Sequence, residues 1–169
     1  IRNGSGQNII VGNSQNFISG GGIYCMNANP KLKNLIIKDN TSELGGGIVC
    51  LNSNPTLEWV QIVNNNATIA DGGGVFLQQS SPTVSNSIFS NNTCAYYGGG
   101  LASVFDSNPS IENSVFFSNN SASEYGHGIA VGYYAGGSAM LNNSIVYDPD
   151  FENNILYGDL SVSFSIIQG

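Results

Sequence analysis

Apolar residues in this chain come in short bursts, and polar or turn-forming residues separate the bursts at regular intervals. Ile23-Tyr24-Cys25, Ile48-Val49-Cys50 and Val75-Phe76-Leu77 each follow three glycines. Farther along each copy come Leu32, Leu57, Val84 and Ile111, then Ile36-Ile37, Ile62, Ile88-Phe89 and Val115-Phe116. These pieces are β-branched or aromatic and bounded by Gly, Asn and Pro, which is the pattern of short strands joined by turns. No window holds a 3.6-residue apolar period over ten residues, so helices are not expected.

The bursts belong to a repeat. Gly triplets stand at 20–22, 45–47, 72–74 and 98–100, with a degenerate copy, Gly126-His127-Gly128, after them. The spacings are 25, 27, 26 and 28 residues, and Pro30, Pro55, Pro82 and Pro109 recur in step. The fourth copy carries one extra residue before its proline. A fixed period with three short strands per repeat predicts a coil whose strands stack in parallel on their copies one repeat later. The expected fold is an all-β parallel β-helix of about five to six coils, one domain over residues 1–169.

Stacking makes columns. Ile23, Ile48, Val75 and Leu101 share one position, and Cys25, Cys50, Leu77 and Val104 share another. Both columns are apolar and two residues apart, so both are expected to point inward. Tyr24, Met26, Val49, Leu51, Phe76, Gln78, Ala102 and Phe105 then point out. Tyr24, Met26, Val49, Leu51, Phe76 and Phe105 form an apolar stripe read as a candidate interface, open to a partner or covered by another part of the protein. Asn34, Asn86, Asn113 and Asn143 share a turn position and are expected to form an amide ladder that Trp59 interrupts. The Gly triplets fit a turn needing positive φ or close backbone approach.

Composition narrows the partners. Only 9% of residues are charged, the net charge is −7, and the four basic residues Arg2, Lys31, Lys33 and Lys38 all lie in the first 38 positions. Nucleic acid and anionic membrane surfaces need clustered Lys and Arg and are excluded as partners. Lys31, Lys33 and Lys38 read as one solvated edge of a coil. No apolar run approaches the ~20 residues of a transmembrane helix. Three cysteines, Cys25, Cys50 and Cys94, make no disulfide framework; Cys25 and Cys50 are expected to be buried free thiols. Sequons at Asn3, Asn40, Asn66, Asn91, Asn119 and Asn142 are candidate glycosylation sites and agree with an extracellular or cell-surface location. The chain starts at Ile rather than Met and is expected to be mature or cut from something longer. Neither end of the sequence reads as a cap, which predicts contact with other copies or with further coils.

The segments FSNNTCAYYGGGL and FSNNSASEYGHGI resemble the repeats of bacterial polymorphic outer-membrane proteins and, more widely, secreted right-handed β-helix proteins with a pectin-lyase-like fold. The resemblance covers about residues 7–169. It implies a right-handed coil and leaves activity open, because the fold hosts lyases, hydrolases, adhesins and surface proteins.

Enzymes of that group act on acidic polysaccharides. Gly126-His127-Gly128 matches the Gly-His-Gly of polygalacturonases. Inverting hydrolysis also needs two carboxyl groups flanking the bond, and one coil upstream stands Asp106 alone. His127 and Asp106 are therefore the candidate catalytic residues, against a plain reading in which His127 replaces the middle glycine of a decaying repeat. Pectate lyases hold Ca²⁺ with clustered acids. Asp148, Asp150 and Glu152, with Asp159 nearby, are the candidate Ca²⁺ ligands, although their spacing matches no calcium loop. Asp71 and Glu124 precede a Gly triplet and its degenerate copy. No other cofactor is expected. The favoured function is a non-catalytic extracellular scaffold, adhesive, glycan-facing or self-assembling. The alternative is a hydrolase or lyase acting on acidic glycans.

Overall fold

Each Gly triplet opens a coil, and every coil repeats the same sequence of short strands. The computed structural model describes residues 1–11, 15–123, 125–147, 155–156 and 159–167. Strands Ile23–Met26, Ile48–Leu51, Val75–Gln78, Leu101–Val104, Ile129–Val131 and Ile155–Leu156 pair in parallel as a first sheet. The second sheet comes after each proline and runs from Lys31–Lys33 to Asp159–Ser163. The third runs from Ile36–Lys38 to Ile166–Ile167. A fourth, narrower sheet stacks Thr41–Ser42, Asn66–Ala67, Thr93–Cys94 and Asn120–Ser121. An antiparallel hairpin, Gln7–Val11 with Gln15–Ser19, precedes the first complete coil. Among the described residues no helix is long and apolar enough to cross a membrane.

The core is the inside of the coil. Ile37, Ile62, Phe89, Phe116 and Val146 form one fully buried column, and Leu57, Val84, Ile111 and Leu141 another. Phe89 and Phe116 stack with centroids 4.2 Å apart. Burying each such ring contributes about 2–3 kcal/mol. Cys25 pairs with Cys50, and Cys50 with Leu77, inside the core as expected. All three cysteines are free and buried.

The fourth copy departs from the expected register. Leu77 pairs with Ser103, and Val104 pairs with Gln78 on the outer face, so Val104 is not a member of the cysteine column. The extra residue is Phe105. Gln79 N–H donates to its carbonyl, while Ser80 N–H already reaches Ser107 Oγ at 3.0 Å, so the coil regains register within two residues. Phe105 and Asp106 both take left-handed φ, 50° and 59°, where the other coils have one such residue.

The amide ladder sits at a different corner from the one expected. Asn34, Asn86, Asn113 and Asn143 share a left-handed turn with Trp59 and Phe164, all with φ of 48–56°. Asparagine tolerates that conformation better than most residues, and this explains its recurrence there without a ladder. Within this column a single amide contact is formed, from Asn143 Nδ2 to Asn113 Oδ1 at 2.6 Å. The continuous ladder is Asn40–Asn65–Asn92–Asn119, buried between the third and fourth sheets. Each Nδ2 donates to the next Oδ1 at 2.9, 3.0 and 2.9 Å, and the backbone N–H groups of Asn40, Asn65 and Asn92 reach the same oxygens. Serines do the same at the other corners, through Ser53, Ser80 and Ser107 and through Ser87, Ser114 and Ser144. Buried turns need such partners, because an unpaired backbone group costs as much as a lost hydrogen bond.

The outer face of the first sheet is covered by the chain itself, so of the two readings of the stripe the covered one holds for most of it. Val49, Leu51 and Phe76 are buried at 0%, 6% and 1% exposure, in a second small core with Leu44, Ala70, Ala102 and Val104. Phe17, Tyr24, Phe105 and Tyr133 pack on it and are partly buried; of the expected stripe only Met26 is fully exposed, at 54%. The cover is the short arm that precedes each triplet. The first glycine of the triplet bends that arm back with positive φ, and a Cβ on Gly45 would sit 2.1 Å from Val49 Cγ2. Only glycine fits so close a return.

Candidate functional site

The sequence candidates disperse. Asp106 is exposed at the turn after Leu101–Val104. His127 is 2% exposed and precedes the neighbouring strand Ile129–Val131, so the two stand at opposite ends of paired strands and share no site. His127 Nδ1 accepts the backbone N–H of Ser121 at 3.0 Å, and Ser121 Oγ lies 3.4 Å from the same nitrogen. Asn120–Ser121 is the last strand of the fourth sheet. The imidazole therefore caps a sheet edge, in the tautomer with its proton on Nε2.

Asp148, Asp150, Glu152 and Glu124 lie outside the described residues. Among the described residues no group of three or more His, Cys, Asp or Glu converges to hold a metal. Two of the six sequon asparagines, Asn40 and Asn119, are buried members of the amide ladder, so a glycan cannot reach them in the folded chain, and these two candidates are withdrawn. Asn3, Asn91 and Asn142 are exposed and Asn66 is half-buried.

A cleft of about 420 Å³ opens beside the first coil, with Asn3, Ser5, Asp39, Thr41, Glu43 and Thr68 in its wall. Both carboxylates are engaged there. Asn64 Nδ2 donates to Asp39 at 2.6 Å and holds its carboxyl below the ordinary range, and Glu43 Oε2 accepts the Ile18 N–H at 2.8 Å.

The chemically distinctive surface is a run of aromatic rings from the arm that closes the third coil to the outward turns of the fourth and fifth. Tyr96 meets Tyr97 at 6.4 Å between centroids, Tyr97 meets Tyr133 at 4.7 Å, Tyr133 meets Tyr134 at 4.6 Å, and Tyr134 meets Phe105 at 5.8 Å. Tyr96 and Tyr134 present more than half of their surface to solvent. Phe105 and Tyr133 lean on the small outer core. The sequence reading included Phe105 but missed the tyrosines. The available signal was the string Gly132-Tyr133-Tyr134, in a copy that breaks the repeat, and Tyr96-Tyr97 just before a Gly triplet.

Beneath the rings lies Asp71, 3% exposed. Its Oδ1 accepts the Tyr97 N–H at 3.0 Å. The Tyr133 hydroxyl comes up to the same carboxyl and favours its charged form without completing a hydrogen bond of ordinary geometry. Burial outweighs both and pushes the Asp71 pKa up to about 6. The same burial, with the Asp71 charge, raises Cys94, Tyr133 and Tyr134. Cys50 is raised by its contact with Cys25 and by burial.

Comparison with known proteins agrees with the coil geometry. The family model described as right handed beta helix region matches residues 1–145. Neither the curated proteins nor the solved structures include a match. With most of its length matched and its parallel sheets stacked coil on coil, this chain belongs to the right-handed β-helix family.

Proposed function

We propose that the protein is a non-catalytic scaffold of the cell surface or extracellular space, and that its tyrosine flank binds polysaccharide. The observation that carries this reading is the aromatic run from Tyr96 to Phe105, seated against a small outer core with two rings turned to solvent. Sugar rings present C–H faces that stack on such aromatics, and tyrosine adds a hydroxyl for the sugar's own.

Charge selects the glycan. Asp71 and Asp106 are the acids near the flank among the described residues, and all four Lys and Arg lie at or before position 38. A uronate chain would meet carboxylates with no cation to hold it. The ligand class is therefore a neutral polysaccharide, unlike the acidic substrates of pectin-lyase-like enzymes. His127 serves the sheet edge in this reading, and no hydrolysis is expected.

Affinity electrophoresis through gels holding neutral or acidic polysaccharides tests it. The chain is expected to be retarded by a neutral polymer and not by polygalacturonate. Tyr96→Ala with Tyr134→Ala should weaken retardation about fivefold or more, since each exposed ring contributes about 0.5–1.5 kcal/mol. Equal migration in every gel, or reducing-end release that His127→Ala abolishes, defeats the reading.

A further inference from the structure

The segment from Gly132 to Gly137 is built differently from the turns that follow the first-sheet strand in the other coils. Glycines at 132, 136 and 137 have φ of 67°, 55° and 114°, and they bracket Tyr133, Tyr134 and Ala135. Two backbone hydrogen bonds tie it down, from Gly132 N–H to Ser103 O at 2.8 Å and from Asp106 N–H to Ala135 O at 3.0 Å. Between them Tyr133 lies on the outer core with its hydroxyl at Asp71. A short strap between glycine hinges, held at two points and resting on a buried carboxyl, can lift as a unit.

We propose that residues 132–137 form a proton-operated flap, closed over the first sheet while Asp71 is neutral and loosened when Asp71 ionises. The proposal rests on the tyrosine flank as the binding surface, because the flap carries two of its rings, so acid closes and completes the site.

The groups that face Asp71 explain why its charge is poorly tolerated. From the arm that closes the third coil comes the Tyr97 N–H, from the fourth sheet comes Cys94, and from the flap come Tyr133 and Tyr134, with Tyr96 beside them. None of these groups is a cation, and no Lys or Arg of the chain lies beyond position 38. A buried carboxylate without a cation gains free energy by reaching water. The movement that admits water is the lifting of Tyr133. The closed state binds its proton more tightly than the open one, so closure is fully favoured below the ordinary carboxylate pKa, weakens as pH rises, and levels off above about 6.

Amide hydrogen exchange on the full chain, monitored by NMR from pH 4 to 7.5, reads the flap directly. The protection factor of the Gly132 amide is expected to fall roughly 50-fold between pH 4 and 7 and to stay flat in Asp71→Asn. A wild-type protection factor independent of pH overturns the proposal, as does the same fall in the variant. Should Asp71→Asn not fold, the ¹³C carboxyl shift of Asp71 in the wild type decides. A midpoint near 6 that coincides with the loss of Gly132 protection supports the flap, and a midpoint in the ordinary carboxylate range overturns it. Neither measurement uses a glycan. A failed gel assay with an intact exchange profile therefore removes the polysaccharide reading alone.

Discussion

The flanks of the first and third sheets make an instructive pair. Both carry apolar residues on their outer faces, one coil after another. On the first sheet Val49 and Phe76 are buried to 0% and 1% exposure. On the third, Ile36, Ile88 and Ile145 stand 51%, 38% and 38% exposed, with Phe117 and Tyr147 beside them. Strand alternation places both sets outside the coil equally well. The difference lies in the connections that flank the strands. The third sheet leads through a tight polar corner into the fourth, whereas each arm before a Gly triplet folds back over the first sheet. Facing outward and meeting water are thus separate properties, and connection length and glycine placement decide the second.

Phe76→Ala should cost about 3–5 kcal/mol in denaturant unfolding, the loss of a fully buried ring. A cost below 1 kcal/mol would mean that the arms do not form a true second core. Leu44→Ala, which thins the cover itself, is expected to cost about 3 kcal/mol in the same experiment. Asp71→Asn should act in the opposite direction. Because the native carboxyl is raised to about 6, folding takes up protons between the ordinary carboxylate pKa and 6, and stability falls as pH rises through that window. Removing the charge should return about 2–3 kcal/mol at pH 7 and almost nothing at pH 4, as thermal melts at the two values would show. The smallest effect is expected on the bare flank, where Ile88→Thr should change stability by less than about 1 kcal/mol. A loss above 2 kcal/mol would show that something in solution covers the third sheet.

The coil itself was legible because its evidence is periodic. Gly triplets, prolines and inner apolar columns recur at one spacing, and a register built on Ile23, Ile48, Val75 and Leu101 survives in the strand pairing. Two errors have the same origin. Asn34 and Asn40 are both asparagines in polar corners six residues apart. What separates them is backbone conformation, since one is an exposed left-handed turn and the other is buried with its amide aligned along the stack. Val104 was misplaced because the inserted residue could fall on either side of it, and only the pairing of Ser103 with Leu77 resolves that choice. The tyrosine flank was illegible for a different reason. Its rings come from one arm and from outward turns of unequal length in three coils, so no single period brings Tyr96, Phe105 and Tyr133 together. Asp71 was noticed as an acid before glycines, but the aromatic lid over it depends on the same aperiodic segments.

The buried amide ladder has a consequence for how such a chain can change length. Asn40, Asn65 and Asn92 each address the next coil through N–H and Nδ2, and Asn65, Asn92 and Asn119 each also send Nδ2 back to a carbonyl of the preceding coil. A whole coil can enter or leave such a stack and every rung still finds its neighbour. One residue added within a ladder corner would leave an amide facing carbon. The inserted Phe105 obeys this grammar: it occupies an outward turn between the first sheet and the serine corner, and Ser107 resumes the count at once. Gene duplication in units of one turn is thus structurally silent along the axis, while variation in smaller units is channelled to the outward turns. The surface can therefore diversify from coil to coil while the interior keeps a single repeating text.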